Sequence, residues 1–149
     1  MSPDKLRIYR RARAVADVLL PILSGQPPSL RIAEQTRASV TSITHNIAEG
    51  CGRTTTAERL QMLSHARGSL WETVDALADL EQLQLITTDQ RMTLDRELRQ
   101  TSSQIALFAA ALVDKDPEYK GAYRFLADEG YRIRKRHEER LRKKEQHDD

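Results

Sequence analysis

Leu60–Leu80 reads LQMLSHARGSLWETVDALADL, with Leu60, Leu63, Ala66, Leu70, Val74, Leu77 and Leu80 at intervals of three or four residues. Such spacing gathers the apolar side chains on one stripe of an α-helix, where an alternating pattern would have indicated a strand. Trp71 and Ala78 are expected to widen the stripe. Upstream, Thr55 is followed three residues later by Glu58, the pattern of a capping box, so the helix is predicted to start there. A stripe this long needs partners, because an isolated amphipathic helix is marginal in water.

The flanking segments supply them. Thr36, Val40, Ile43 and Ile47 mark a second helix that begins near Ser29, and Gly50 and Gly52 are expected to end it in a left-handed conformation. A helix over residues 4–23 carries Ile8, Ala12, Val15, Leu19 and Ile22, with Ser24-Gly25 and Pro27-Pro28 forming the turn after it. Downstream, Thr87 and Gln90 repeat the capping pattern ahead of Leu94, Leu98, Ile105, Phe108 and Leu112. Four amphipathic helices with short turns predict an all-α, antiparallel up-down-up-down four-helix bundle over residues 1–113. Residues 114–149 read as an extra C-terminal arm, basic and amphipathic, with a frayed tail. Its helix is expected from Asp116-Pro117-Glu118, with Tyr119, Tyr123, Leu126 and Ile133 on one side and Gly130 as an interruption.

Composition narrows the chemistry. The chain has 149 residues, 39% hydrophobic and 31% charged, and one cysteine. One cysteine forms no internal disulfide and no multi-cysteine zinc site. The net charge of +2 is unevenly spread. Residues 1–37 carry net +4, residues 38–113 net −3, and residues 114–149 net +1. No apolar run approaches the roughly 20 residues that span a bilayer. Lys5–Gly25 contains Asp17 and Pro21, which spoil it as a signal peptide. A cytoplasmic protein with no membrane association is expected.

Two sets of residues stand out as candidate sites. Ser39, Ser42, Asn46, Glu49 and Arg53 recur on one polar strip of the second helix, with His65, Arg67, Gly68, Glu72 and Asp79 on a comparable strip of the third. Such a strip serves helix registry and subunit contact, or it lines a cleft for a ligand. Gly68 costs about 1 kcal/mol relative to Ala inside a helix, so a close approach by another helix, or by Trp71 of another subunit, is expected at it. The cationic set is Lys5, Arg7, Arg10, Arg11 and Arg13 at the start, and Arg132, Arg136, Arg140 and Lys143 in the arm. The last four follow steps of four, four and three, so they share a helix face suited to phosphates. No catalytic residue, metal or cofactor is assigned. His45, Glu49, His65 and Glu72 lack the Glu-x-x-His pattern of helical metal sites. Gly50-Cys51-Gly52-Arg53 lacks the order of a phosphate loop, and Cys51 has no activating neighbours in sequence.

Ser39–Arg53, SVTSITHNIAEGCGR, and Leu63–Leu77, LSHARGSLWETVDAL, resemble two signatures of the bacterial four-helix-bundle family associated with 23S rRNA intervening sequences, the S23-related family. Asn46-Ile47-Ala48-Glu49-Gly50 with Arg53 carries the first; Leu63, Ala66, Arg67, Gly68, Ser69, Leu70 and Glu72 carry the second. Thr44 stands where the family commonly has proline, His45 where a small residue is usual, and the basic arm is longer. The resemblance implies a bundle that associates into a homo-oligomer, commonly a pentameric ring, with no established enzymatic reaction. It also implies a distant similarity to the accessory proteins of diversity-generating retroelements, which bind a reverse transcriptase and nucleic acid. The expected function is thus a non-enzymatic oligomeric accessory or binding protein contacting structured RNA or single-stranded DNA. A scaffold whose arm docks a protein partner is the alternative, and an enzyme using a polar inter-helix cleft is a third reading.

Overall fold

The apolar stripe of Leu60–Leu80 lies at the centre of a computed structural model that describes residues 6–147. Five helices follow in order: α1 Arg7–Ser24, α2 Arg31–Gly52, α3 Thr56–Gln82, α4 Thr88–Asp114 and α5 Arg124–Glu145. Turns of three to nine residues join them, and α1 packs on α2, α2 on α3, α3 on α4 and α4 back on α1. That circuit is an antiparallel four-helix bundle. Leu19, Ile43, Ile47, Leu60, Leu70, Leu77, Leu98 and Ile105 fill its axis and are essentially sealed from solvent. Val74 and Phe108 pack at the margin of this core.

Local chemistry sets the helix ends. Thr87 caps α4 with a complete box: its hydroxyl accepts from the Gln90 amide at 3.1 Å, and the Gln90 side chain accepts from the Thr87 amide at 2.9 Å. At α3 the box is half made. The Thr55 hydroxyl accepts from the Glu58 amide at 3.2 Å, and it donates to the Glu58 carboxylate at 2.8 Å. Hydrogen bonding from the Thr55 hydroxyl, and then from the Thr55 backbone, holds the Glu58 carboxyl below its ordinary range.

Several expectations are corrected. Trp71 and Ala78 are exposed and lie off the core stripe; Ala76 and Thr73 are buried in their stead. Gly50 and Gly52 do not end α2 in a left-handed conformation, since no described glycine has positive φ. Gly50 is instead a contact point, where a Cβ would stand 3.3 Å from the Met62 Cβ on α3. The start expected at Asp116-Pro117 is an irregular turn, and α5 begins at Arg124. The Arg124 guanidinium donates to the Tyr119 carbonyl at 2.7 Å, which ties that turn to the helix.

The turn returns the chain along α4 before α5 begins. Gly130 meets Ala106 and Ala110, the Tyr131 hydroxyl donates to Asp114 at 2.9 Å, and Arg134 pairs with Asp114 at 2.8 Å. Rising numbers on α5 thus match rising numbers on α4, so the two helices run parallel. Leu126 and Ala127 join the bundle core, and Gly130 is buried at the crossing. From Lys135 to His147 every residue is exposed, and the helix continues past the end of α4.

Candidate functional site

The polar strips of α2 and α3 converge on a groove of about 690 Å³ lined by Gln35, Ala38, Ser39, Ser42, Ser69, Glu72, Asp75 and Asp79, among others. Its floor is a hydroxyl ladder. Ser39 and Thr73, both buried, have hydroxyls 2.9 Å apart. Ser69 donates to the Ser42 hydroxyl at 2.8 Å, and Asn46 Nδ2 donates to the same oxygen at 2.9 Å and to the Ser42 carbonyl at 2.9 Å. Small hydroxyl residues at these positions let the helices approach closely, and each pairs its polar atom inside the contact. Ser39 and Ser42 therefore act as an inter-helix clasp, with Asn46 holding Ser42 from within α2. The rim carries Glu72, Asp75 and Asp79, exposed and without an ion pair to a described residue.

The remaining strip residues point elsewhere. Glu49 pairs with Arg53, which also reaches Glu58 at 3.6 Å, so this group fastens the α2–α3 turn. These carboxylates hold the Arg53 guanidinium above its ordinary range. His65 is exposed. Arg67 leaves the groove for α5, where it pairs with Glu129 and lies over the Phe125 ring at 5.6 Å. Gly68 is open to solvent, with nothing within 4 Å of where a Cβ would stand. Within the chain no helix approaches closely at Gly68, and a close approach occurs at Gly130. Cys51 is half-buried, and burial pushes its thiol above its ordinary value. Among the described residues, no three His, Cys, Asp or Glu side chains are grouped to hold a metal ion.

The cationic candidates divide by pairing. Lys5 lies outside the described residues. Arg11 bridges to Glu97 of α4 at 3.4 Å and Arg13 pairs with Asp17 at 3.0 Å, so these two serve the bundle surface. Arg7 and Arg10 are exposed. Arg132, Arg136, Arg140 and Lys143 are all exposed on one face of α5, and none pairs with a described residue. From Arg132 to His147 there are eight Arg or Lys against three Glu, a net positive stretch on this helix.

Sequence reasoning passed over two further residues. Trp71 is 42% exposed with the Arg99 guanidinium over its ring at 5.3 Å, and Phe125 is 46% exposed beneath Arg67.

No described helix is long and apolar enough to cross a membrane. Comparison with curated proteins gives no match. The 23S rRNA-intervening sequence protein family matches residues 4–106, which takes in both signature segments and α1 to α3 with most of α4, and leaves α5 outside. With the bundle, the clasped α2–α3 groove and this match over most of its length, the chain belongs to the 23S rRNA-intervening sequence protein family.

Proposed function

We propose that the protein is a non-enzymatic, self-associating accessory protein that contacts structured RNA or single-stranded DNA through the cationic face of α5. The observation that carries this reading is the pairing pattern of the arginines. On the bundle Arg11, Arg13, Arg67 and Arg99 are spent on carboxylates and Arg7 and Arg10 stand exposed, whereas Arg132, Arg136, Arg140 and Lys143 form a longer exposed row on one helix face without a described partner. A row of such charges takes up phosphates by releasing condensed ions, and affinity then falls as salt rises. Repetition of the arm around an oligomer multiplies weak contacts into avidity.

The groove supports the self-association. Both family signatures meet there, and its acidic rim is left uncovered by the chain itself. A pentamer of 17.0 kDa chains has a mass of about 85 kDa. Light scattering across a wide concentration range tests it, and a persistent monomer removes it. Fluorescence anisotropy with structured RNA, single-stranded DNA and duplex DNA at two salt concentrations tests the nucleic-acid contact. The combined Arg132→Glu, Arg136→Glu and Arg140→Glu variant weakens binding while the bundle stays folded. Absence of saturable binding at low salt refutes it. Loss of an acidic protein partner instead, such as a reverse transcriptase, supports the protein-docking scaffold.

A further inference from the structure

Followed toward its N-terminus, the cationic face of α5 runs onto Phe125. Phe125, Arg132, Arg136, Arg140 and Lys143 are separated by steps of seven, four, four and three, and fall within about 80° of one another around a 3.6-residue helix. Glu129 lies on the same side and is taken by Arg67, while Glu139 flanks it. Arg67 covers Phe125 from α3, and Trp71 stands one helical turn farther along α3, held against Arg99 of α4. The surface thus changes character along one line. It carries unpaired charge on the projecting helix, then two exposed aromatic rings, each with a guanidinium set against it.

Charge neutralisation does not explain the rings. Arg67 and Arg99 already hold Glu129 and Asp95, so this end of the line has little net field to offer a phosphate. It offers flat, half-exposed π surface. Exposed rings of this size are costly in water, and every nucleobase has a π face that covers one. In a duplex those faces are stacked and out of reach, whereas in an unpaired strand they are free. From Phe125 to Lys143 the helix spans about 27 Å at 1.5 Å per residue, enough for several nucleotides of one extended strand.

We infer that Trp71 and Phe125 form a stacking platform for unpaired bases of single-stranded RNA or DNA, continuing the phosphate-binding face of α5. This inference rests on the proposed nucleic-acid contact and adds the strand type and the residues that select it. The face of α5 supplies affinity that depends on salt. The rings supply preference for unpaired over paired strands.

Trp71 is the only tryptophan in the chain, so its fluorescence reports on this position alone. Intact protein is titrated with oligo(dT), oligo(U) and a duplex of equal length, following Trp71 emission and the anisotropy of labelled strand together. Quenching by the single strands, a preference for them over duplex, and about tenfold weaker single-strand binding by Trp71→Leu are expected, with Trp71→Phe largely restoring affinity. Phe125→Leu weakens binding without removing the quenching. Circular dichroism confirms that these surface variants remain folded. Strand binding with unchanged emission and no loss in Trp71→Leu overturns the platform and leaves the nucleic-acid contact standing. No strand binding at low salt overturns both. A change of emission with protein concentration alone, together with a lower assembly mass for Trp71→Leu, overturns the platform by making this surface a subunit contact.

Discussion

Gly130 of α5 lies so close to Ala106 of α4 that a Cβ at position 130 would overlap the Ala106 carbonyl and stand 2.8 Å from the Ala110 Cβ. The crossing admits hydrogen and nothing larger. Gly130→Ala should therefore loosen α5 although Ala favours an isolated helix by about 1 kcal/mol. Overpacking at such contacts costs about 1–3 kcal/mol. Faster amide exchange across residues 124–134, with α1 to α4 unchanged, is the expected result. Unchanged exchange would show that the crossing has slack.

Leu77 is 1% exposed at the centre of the bundle. Leu77→Ala should lower unfolding stability by about 2–5 kcal/mol, through lost burial and the cavity left behind. Urea denaturation measures it. A loss below about 1 kcal/mol would mean that the neighbouring helices collapse into the space.

The two threonine caps differ in what they satisfy. Thr87 takes part in a reciprocal pair with Gln90, while Thr55 satisfies one amide and spends its proton on Glu58. Thr87→Ala should cost about 1 kcal/mol, and Gln90→Ala should add little to that loss in the double variant because the two bonds act together. Equal, additive effects of both substitutions would contradict the reciprocal box.

Arg134, and then the Tyr131 hydroxyl, hold the Asp114 carboxyl below its ordinary value of 3.8. A carboxylate lowered in the folded state stabilises above its unfolded pKa, and that contribution is lost as pH falls through the folded value. Anchoring of α5 should thus be constant from neutral pH to about pH 4 and weaken below it. Exchange of the α5 amides, corrected for intrinsic pH dependence, follows the loss. Asp114→Asn should abolish the pH dependence; a variant that retains it assigns the effect to another group.

Helix periodicity made the bundle readable, because burying a stripe on α3 demands stripes on its neighbours with the same period. Leu60, Leu63, Leu70, Leu77 and Leu80 declared themselves in this way, as did the caps at Thr55 and Thr87. Trp71 did not, since an aromatic beside a core stripe looks apolar until the bundle shows which way it faces. Gly68 breaks a helix pattern and invites a contact, but only the path of α5 reveals the contact that the chain itself makes at Gly130. Asp116-Pro117-Glu118 has every local mark of a helix start. The chain there must instead travel back along α4, and that demand overrides local preference. Of the candidate site, the strip from Ser39 to Asn46 was visible as spacing, whereas its partners Ser69 and Thr73 became evident only in the packed pair.

Because α5 runs parallel to α4 and outlasts it, the molecule has a charged pole. Eight basic side chains against three acidic ones lie between Arg132 and His147, most of them beyond the end of the bundle. The antiparallel helix dipoles of α1 to α4 largely cancel, so the permanent moment follows the arm. A long-range field of this form orients an approaching polyanion before any contact is made. Electric birefringence should accordingly find a large moment in a single subunit, directed along the bundle axis, that collapses when the arm charges are reversed. In a cyclic assembly whose symmetry axis lies along the bundle axis, the arms leave from the same rim, and the axial parts of their moments add. One rim is then strongly cationic, and the opposite rim is not.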